Sequence, residues 1–263
     1  MAKKEKIITV RNRLLGAFES ASRERVDPYI ERAEVTLGDI VCEAGGILNH
    51  AYFPDGAALS LLTVLENGTA IETANIGREG AFGLFAAMYS RSSFNRSLVQ
   101  LEGGLLRVPI KVLQSEFERS AHIRNLFVRY SETLLAQIQQ TVACNALHST
   151  RQKMCRWLLM MHDRADGEHL TYTHEFLAQV LGVNRKSVTL AAQALQREGL
   201  IDYHRGLMQF SIVPASKRRR ASATLLSRSA STTSCRRLLM RFKRFGMGGN
   251  NMGHGTFSLR LKG

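Results

Sequence analysis

One stretch limits what this chain can fold into more than any other: Thr173–Gly206, THEFLAQVLGVNRKSVTLAAQALQREGLIDYHRG. Leu177, Val180 and Leu181 share one face of a first helix. Val188, Ala191, Ala192 and Leu195 share one face of a second, at i, i+3, i+4, i+7 spacing. Gly182-Val183-Asn184 interrupts the period, and the glycine gives the backbone the freedom a sharp turn needs. Ala178 is small, as two closely crossing helices require. Thr173 and Asn184 stand where side-chain oxygens cap the first and second helix. The second helix opens Arg185-Lys186-Ser187, basic and polar where such a helix meets base edges. Leu200–His204 and Leu207–Val213 then read as two short strands joined at Arg205-Gly206. That wing separates the pattern from an ordinary αα-hairpin and points to DNA.

The net charge of +14 invites the same conclusion for a poorer reason. Twelve Lys/Arg and no acid lie in Pro214–Gly263, so the rest of the chain is nearly neutral at +2. Charge alone therefore says little about the folded part. Cys42, Cys144, Cys155 and Cys235 are scattered without a CxxC, which suits a reducing cytoplasm. MAKKEKIITV lacks the apolar run of a signal peptide, and no segment approaches a membrane span. A cytoplasmic protein with no membrane partner is expected.

Upstream of the helix-turn-helix the pattern changes twice. Asn12–Arg25 reads as a short amphipathic helix through Leu14, Leu15 and Phe18. From Ile30 to Pro109, short β-branched or alternating runs are separated by turn residues, including the strong hairpin signal Asn67-Gly68. Such spacing indicates an all-β sandwich or barrel. Lys111–Phe117 starts a helical region that breaks near Ser120 and runs on from Ile123 to Asn145, roughly 34 Å at 1.5 Å per residue. Phe127, Tyr130, Leu134, Ile138 and Thr141 recur along one face, widened by Leu135, Val142 and Ala143. A partner helix or the chain's own sheet can cover that face. His148–Arg164 is a further helix burying Met154, Trp157, Leu158 and Met161.

In this order, the segments YFPDGAALSLLTVLENG, IGREGAFGL, LLAQIQQTVACNALHSTRQKMCRWLLMMHDR and LAQVLGVNRKSVTLAAQALQREGLI resemble the cyclic-AMP receptor protein / fumarate-nitrate regulator (Crp/Fnr) superfamily of bacterial transcription factors. The likeness is nearest to a subgroup without full effector motifs. It implies an α+β chain: a cyclic-nucleotide-binding-like β-roll (jelly roll) over 12–119, a dimerisation helix over 120–146 and a winged helix-turn-helix over 147–213. It also implies a homodimer through Phe127, Tyr130, Leu134, Ile138 and Thr141, binding a near-palindromic promoter site in double-stranded DNA, with RNA polymerase as a further partner. Arg185 matches a guanine-reading arginine, whose planar fork bonds O6 and N7 together. Asn184 and Ser187 match phosphate contacts and Thr173 a backbone contact; Lys186 and Thr189 complete the DNA-facing set. Lys186 stands where the best-known member has a glutamate and Leu190 where it has a second arginine, so the operator does not carry over.

An effector is harder to place. Cyclic-nucleotide sites in the family use a Gly-Glu pair followed about ten residues later by Arg-Ser or Arg-Thr, the glutamate for the ribose and the arginine for the phosphate. Here Arg78 separates Gly77 from Glu79, and Arg96-Ser97 follows Glu79 at seventeen positions. The alternatives are thus a cyclic-nucleotide-responsive factor using Glu79, Arg96 and Ser97, or an enzyme or small-molecule carrier built on the β-barrel. Other chemistry finds no pattern. No Cys precedes Cys42, against an iron–sulfur sensor; His162, His169 and His174 lack metal spacing, and no nucleophile–base arrangement is visible. No cofactor, metal or catalytic residue is expected, and the effector stays unassigned.

The acid-free segment Pro214–Gly263 holds no sustained apolar period. It reads as a disordered basic arm with salt-sensitive affinity for phosphates, or as a terminus translated out of frame. Truncation after Val213 is expected to leave the thermal midpoint nearly unchanged while weakening non-specific DNA binding more than operator preference. A large fall in melting temperature would show that the segment packs on the body.

Overall fold

A computed structural model of the chain describes residues 10–165, 170–198, 200–204 and 207–210. The expectations for Pro214–Gly263 and the Arg205-Gly206 turn lie outside the described residues. The chain begins with two short helices, α1 (Arg13–Gly16) and α2 (Ser20–Val26), where the pattern suggested one. The break turns Phe18 inward, its ring centroid 6.4 Å from Phe53 and 6.1 Å from Phe127. Aromatic packing outweighs the continuity of a short helix.

Seven strands follow: β1 (Glu31–Val35), β2 (Ile40–Cys42), β3 (His50–Pro54), β4 (Ala58–Val64), β5 (Ala70–Ile76), β6 (Arg96–Leu101) and β7 (Gly103–Pro109). A four-residue helix, α3 (Phe85–Met88), interrupts them between β5 and β6. They form two antiparallel sheets, ordered β1-β7-β3 and β2-β6-β4-β5. Asn67-Gly68 makes the β4–β5 hairpin, as its sequence announces. Ala51, Phe53, Leu59, Leu61, Ala74, Leu106 and Val108 fill the core from both sheets. Buried Asp55 accepts from the Arg11 and Asn12 amides at 2.6 and 3.0 Å and from Arg32 at 2.5 Å, fastening the N-terminal segment to the β3–β4 turn.

Helix α4 (Ile110–Arg119) is followed directly by α5 (Ala121–Leu147), with Ser120 as the break between them. Its hydroxyl accepts from the Ile123 amide and caps the new helix. At 27 residues α5 is about 40 Å long. The face expected to meet a second chain is instead occupied inside this one. Phe127, Tyr130 and Leu134 are buried in the β-roll core with Ile138 packed on its edge, and Thr141 is buried beside α6 (Thr150–Arg164) through Arg156. The hydroxyl of Tyr130 donates to the Ala81 carbonyl at 2.7 Å, and its ring approaches Gly80 so closely that a Cβ there would collide with it. Intrachain burial wins because the roll's apolar core must be covered, and this face of α5 packs into it. The apolar stripe left outside is Val128, Leu135 and Val142, at 50, 55 and 59% exposure.

After α6 the chain forms β8 (Leu170–Thr173), α7 (His174–Leu181), α8 (Arg185–Arg197), β9 (Asp202–His204) and β10 (Leu207–Phe210). The wing strands pair antiparallel, and β8 adds a third strand on the far side of β10. The chain is thus an antiparallel β-roll, a long helix and a winged helix-turn-helix, an α+β architecture. Among the described residues no helix is long and apolar enough to cross a membrane. Phe127 is fully buried, beside the rings of Phe18 and Phe117. Phe127→Ala is expected to lower stability by about 3–5 kcal/mol in chemical denaturation. A loss below about 1 kcal/mol, the scale of an exposed site, would show that the inner face of α5 does not anchor the roll.

Candidate nucleic-acid interface

The helix-turn-helix is built from local signals. Thr173 Oγ1 accepts from the Phe176 amide at 3.1 Å and caps α7. Gly182 ends it in the left-handed region at φ 61°, and the Val183 amide returns to the Ala178 carbonyl at 3.0 Å. Two residues later Asn184 Oδ1 accepts from the Ser187 amide at 2.8 Å and starts α8. Leu177, Val180 and Leu181 of α7 pack with Val188, Ala191, Ala192 and Leu195 of α8, over Met154, Trp157, Leu158 and Met161 of α6.

That packing decides what α8 shows to solvent. Arg185 and Lys186 are exposed at its first turn, and Ser187 is half-buried beside them. Thr189 is half-buried too: its hydroxyl donates to the Arg185 carbonyl and lies 3.0 Å from His174 Nδ1, tying α8 to α7. Burial, and then the Arg185 charge, push the His174 ring below its ordinary pKa. Farther along, Leu190, Gln193 and Arg197 share the exposed face with Lys186 at i, i+4, i+7, i+11. Gln193 and Arg197 were not singled out from the sequence, although this spacing was there to be read.

Two cations in the first turn stand at the positive end of the helix dipole, with no acid among them. Each such placement is unfavourable by about 0.3–1 kcal/mol at low ionic strength. The same turn, with its free amides, is where an anion binds. Electrostatically the start of α8 is a vacancy for negative charge.

The candidate effector residues are not brought together. Ile76, at the end of β5, pairs with Leu59, whereas Arg96 pairs with Leu62, three residues or roughly 10 Å farther along β4. Glu79 lies beyond Ile76, on the opposite side from Arg96. It pairs with Arg164 of α6 and accepts from the Gly77 amide at 3.0 Å. Burial raises the Glu79 pKa, but the Arg164 charge and the backbone amides outweigh it, so the carboxyl sits below its ordinary value. Arg96 pairs with Glu43 at 2.6 Å, and Ser97 is buried between β4 and β2. The roughly seven extra residues between Glu79 and Arg96 are taken up by α3 and the loop behind it.

Residues 152–213 match the family model of the Crp-like helix-turn-helix domain. Among solved structures, a Crp/Fnr-family protein from Eubacterium rectale aligns at TM-score 0.60 and 17% identity over 78% of this chain and 96% of its own. FixK2 from Bradyrhizobium japonicum aligns at 0.59 and 14% over 74% and 98%. A Crp/Fnr-family transcriptional regulator from Thermus thermophilus aligns at 0.56 and 21% over 73% and 99%. No curated protein sequence matches the chain. The chain has the Crp/Fnr fold and carries a Crp-like helix-turn-helix domain.

Proposed function

We propose that this chain is a DNA-binding transcription regulator that recognises a near-palindromic promoter site as a homodimer and catalyses no reaction. One observation carries the reading: α8 exposes Arg185 and Lys186 at its positive end, in a first turn that holds no acid. Phosphates flanking a major groove supply the charge that this end lacks. Arg185 is the base reader, its fork bonding guanine O6 and N7. Lys186 and Ser187 lie beside it, Asn184 and Thr173 face the backbone with their caps intact, and Thr189 holds α8 against α7. Gln193 joins the reading face, where its amide can bond adenine N6 and N7. Regulation then acts on RNA polymerase at the neighbouring promoter.

The second copy docks on the outer face of α5. Val128, Leu135 and Val142 repeat every seven residues, the spacing that keeps a seam facing a parallel partner helix. Ala136, Ala143 and Ala146 beside them let two helices approach closely. With two recognition helices set by one two-fold axis, the half-sites are inverted repeats.

Two measurements test the reading. Selection from a randomised DNA library should yield an inverted repeat, and Arg185→Ala should lose sequence preference, by about 1–3 kcal/mol at one base pair, while retaining weak salt-dependent binding. An unaltered preference would remove Arg185 from the base-reading set, and no enrichment at all would remove the regulator reading. In sedimentation, Leu135→Glu with Val142→Glu should give monomers whose operator affinity collapses. A persisting dimer would put the interface elsewhere.

A further inference from the structure

The sheet β2-β6-β4-β5 has a polar row on the side away from the roll core: Ser60 on β4, Glu72 and Asn75 on β5, and Gln100 on β6. Such a row belongs in water. Here it is sealed, with Glu72 6% exposed and Gln100 wholly buried, because the winged helix of the same chain sits on it. The Tyr172 hydroxyl donates to the Gln100 carbonyl at 3.1 Å, and the Asn75 amide reaches Met160 Sδ at 4.0 Å. Ala58 joins the apolar cluster of Trp157 and Leu177. The Gly182 turn lies over the Ile71 side chain.

Glu72 lies at the centre of this contact. Its carboxyl accepts from Ser60 Oγ at 2.7 Å, from Asn75 Nδ2 at 3.2 Å and from Gln100 Nε2. It forms no ion pair with a described residue. A cavity of about 20 Å³ separates it from the helices, lined also by Thr141 and Cys144 of α5, Lys153, Arg156 and Trp157 of α6, and Val180 and Leu181 of α7. Of the titratable groups that face it, Arg156 is held toward α5 by its bond to Thr141. Cys144 Sγ lies 3.3 Å from Gln140 Nε2 on its own helix, and burial raises the Tyr172 phenol far above the range in which it would ionise. Burial likewise pushes the Glu72 carboxyl above its ordinary pKa, against the three hydrogen bonds and the Arg156 charge. Independently, Gln100 Oε1 is buried without a donor.

We propose that Glu72 is a proton-operated latch between the domains: neutral, it keeps the winged helix docked on the sheet, and ionised, it releases it. On release the proton passes to water and the carboxylate is solvated. The docked state holds the proton to a higher pH than the released state, where Glu72 is an ordinary glutamate. Docking is therefore complete below the ordinary glutamate range and weakens as pH rises through the docked-state value. Because the winged helix carries α8, the latch sets where the recognition helices stand. That last consequence rests on the DNA-binding reading; the latch itself does not.

The chain's single tryptophan, Trp157, lines the same cavity and reports the contact without DNA. In the full-length protein, emission should move to the red and acrylamide quenching should rise as pH is raised from the ordinary glutamate range through the higher docked-state value. Glu72→Gln, neutral at every pH, should keep the low-pH spectrum throughout. A flat wild-type profile overturns the proposal, and so does a transition that survives in Glu72→Gln. If circular dichroism shows that Glu72→Gln fails to fold, Ser60→Ala decides instead. It removes a donor to the carboxylate and should move the midpoint upward, and an unmoved midpoint overturns the latch. A failed DNA-library selection beside a working latch would count against the regulator reading alone.

Discussion

The burial of one face of α5 in the mouth of the β-roll is the contact on which the other parts depend. Ile123, Phe127, Tyr130 and Leu134 enter the same core as Phe18, Phe53 and Leu106, and Tyr130 anchors its hydroxyl to the Ala81 carbonyl. With that face occupied, the opposite face points outward, and its apolar stripe has no cover among the described residues. The helix is also longer than the roll. Its C-terminal half carries Gln137 against Asn75, Thr141 against Arg156 and Cys144 into the domain boundary, so it positions the second domain as well as closing the first.

The boundary differs in kind from the two cores it joins. Each core is apolar, whereas the surface between them holds Ser60, Glu72, Asn75, Gln100 and the Glu79–Arg164 pair. Burial of an acid without a cation is unfavourable unless its hydrogen bonds are satisfied or it is neutral. A contact made this way is strong only under conditions that keep it satisfied.

The nucleic-acid face, in contrast, owes its shape to a few local hydrogen bonds and one turn. Thr173, Gly182 and Asn184 act within four residues of themselves, and each was visible as a residue type at a helix end. The exposed apolar stripe on α5 was less legible. Phe127, Tyr130 and Leu134 are larger than Val128 and Val142, so a pattern ranked by side-chain size selects the inner face, which packs in the roll core of its own chain. Strand β8 went unread because Leu170–Thr173 is short and gains its identity only by pairing with β10.

What this chain determined by sequence alone is what depends on near neighbours. Helix periods, the Ser120 break, the Asn67-Gly68 hairpin, the capped turn between α7 and α8, and the order of roll, helix and wing all follow from spacing within a dozen residues. What only tertiary structure decided is which neighbour each surface meets. Nothing in the spacing of Glu79, Arg96 and Ser97 says that Glu79 pairs with Arg164 while Arg96 pairs with Glu43. Nor does the alternation of β5 reveal that Glu72, on the side a sandwich turns to water, lies beneath Trp157 and Leu181. Periodicity records that a face is polar or apolar; the packing of distant segments supplies its partner, and with it the charge state and exposure on which chemistry depends.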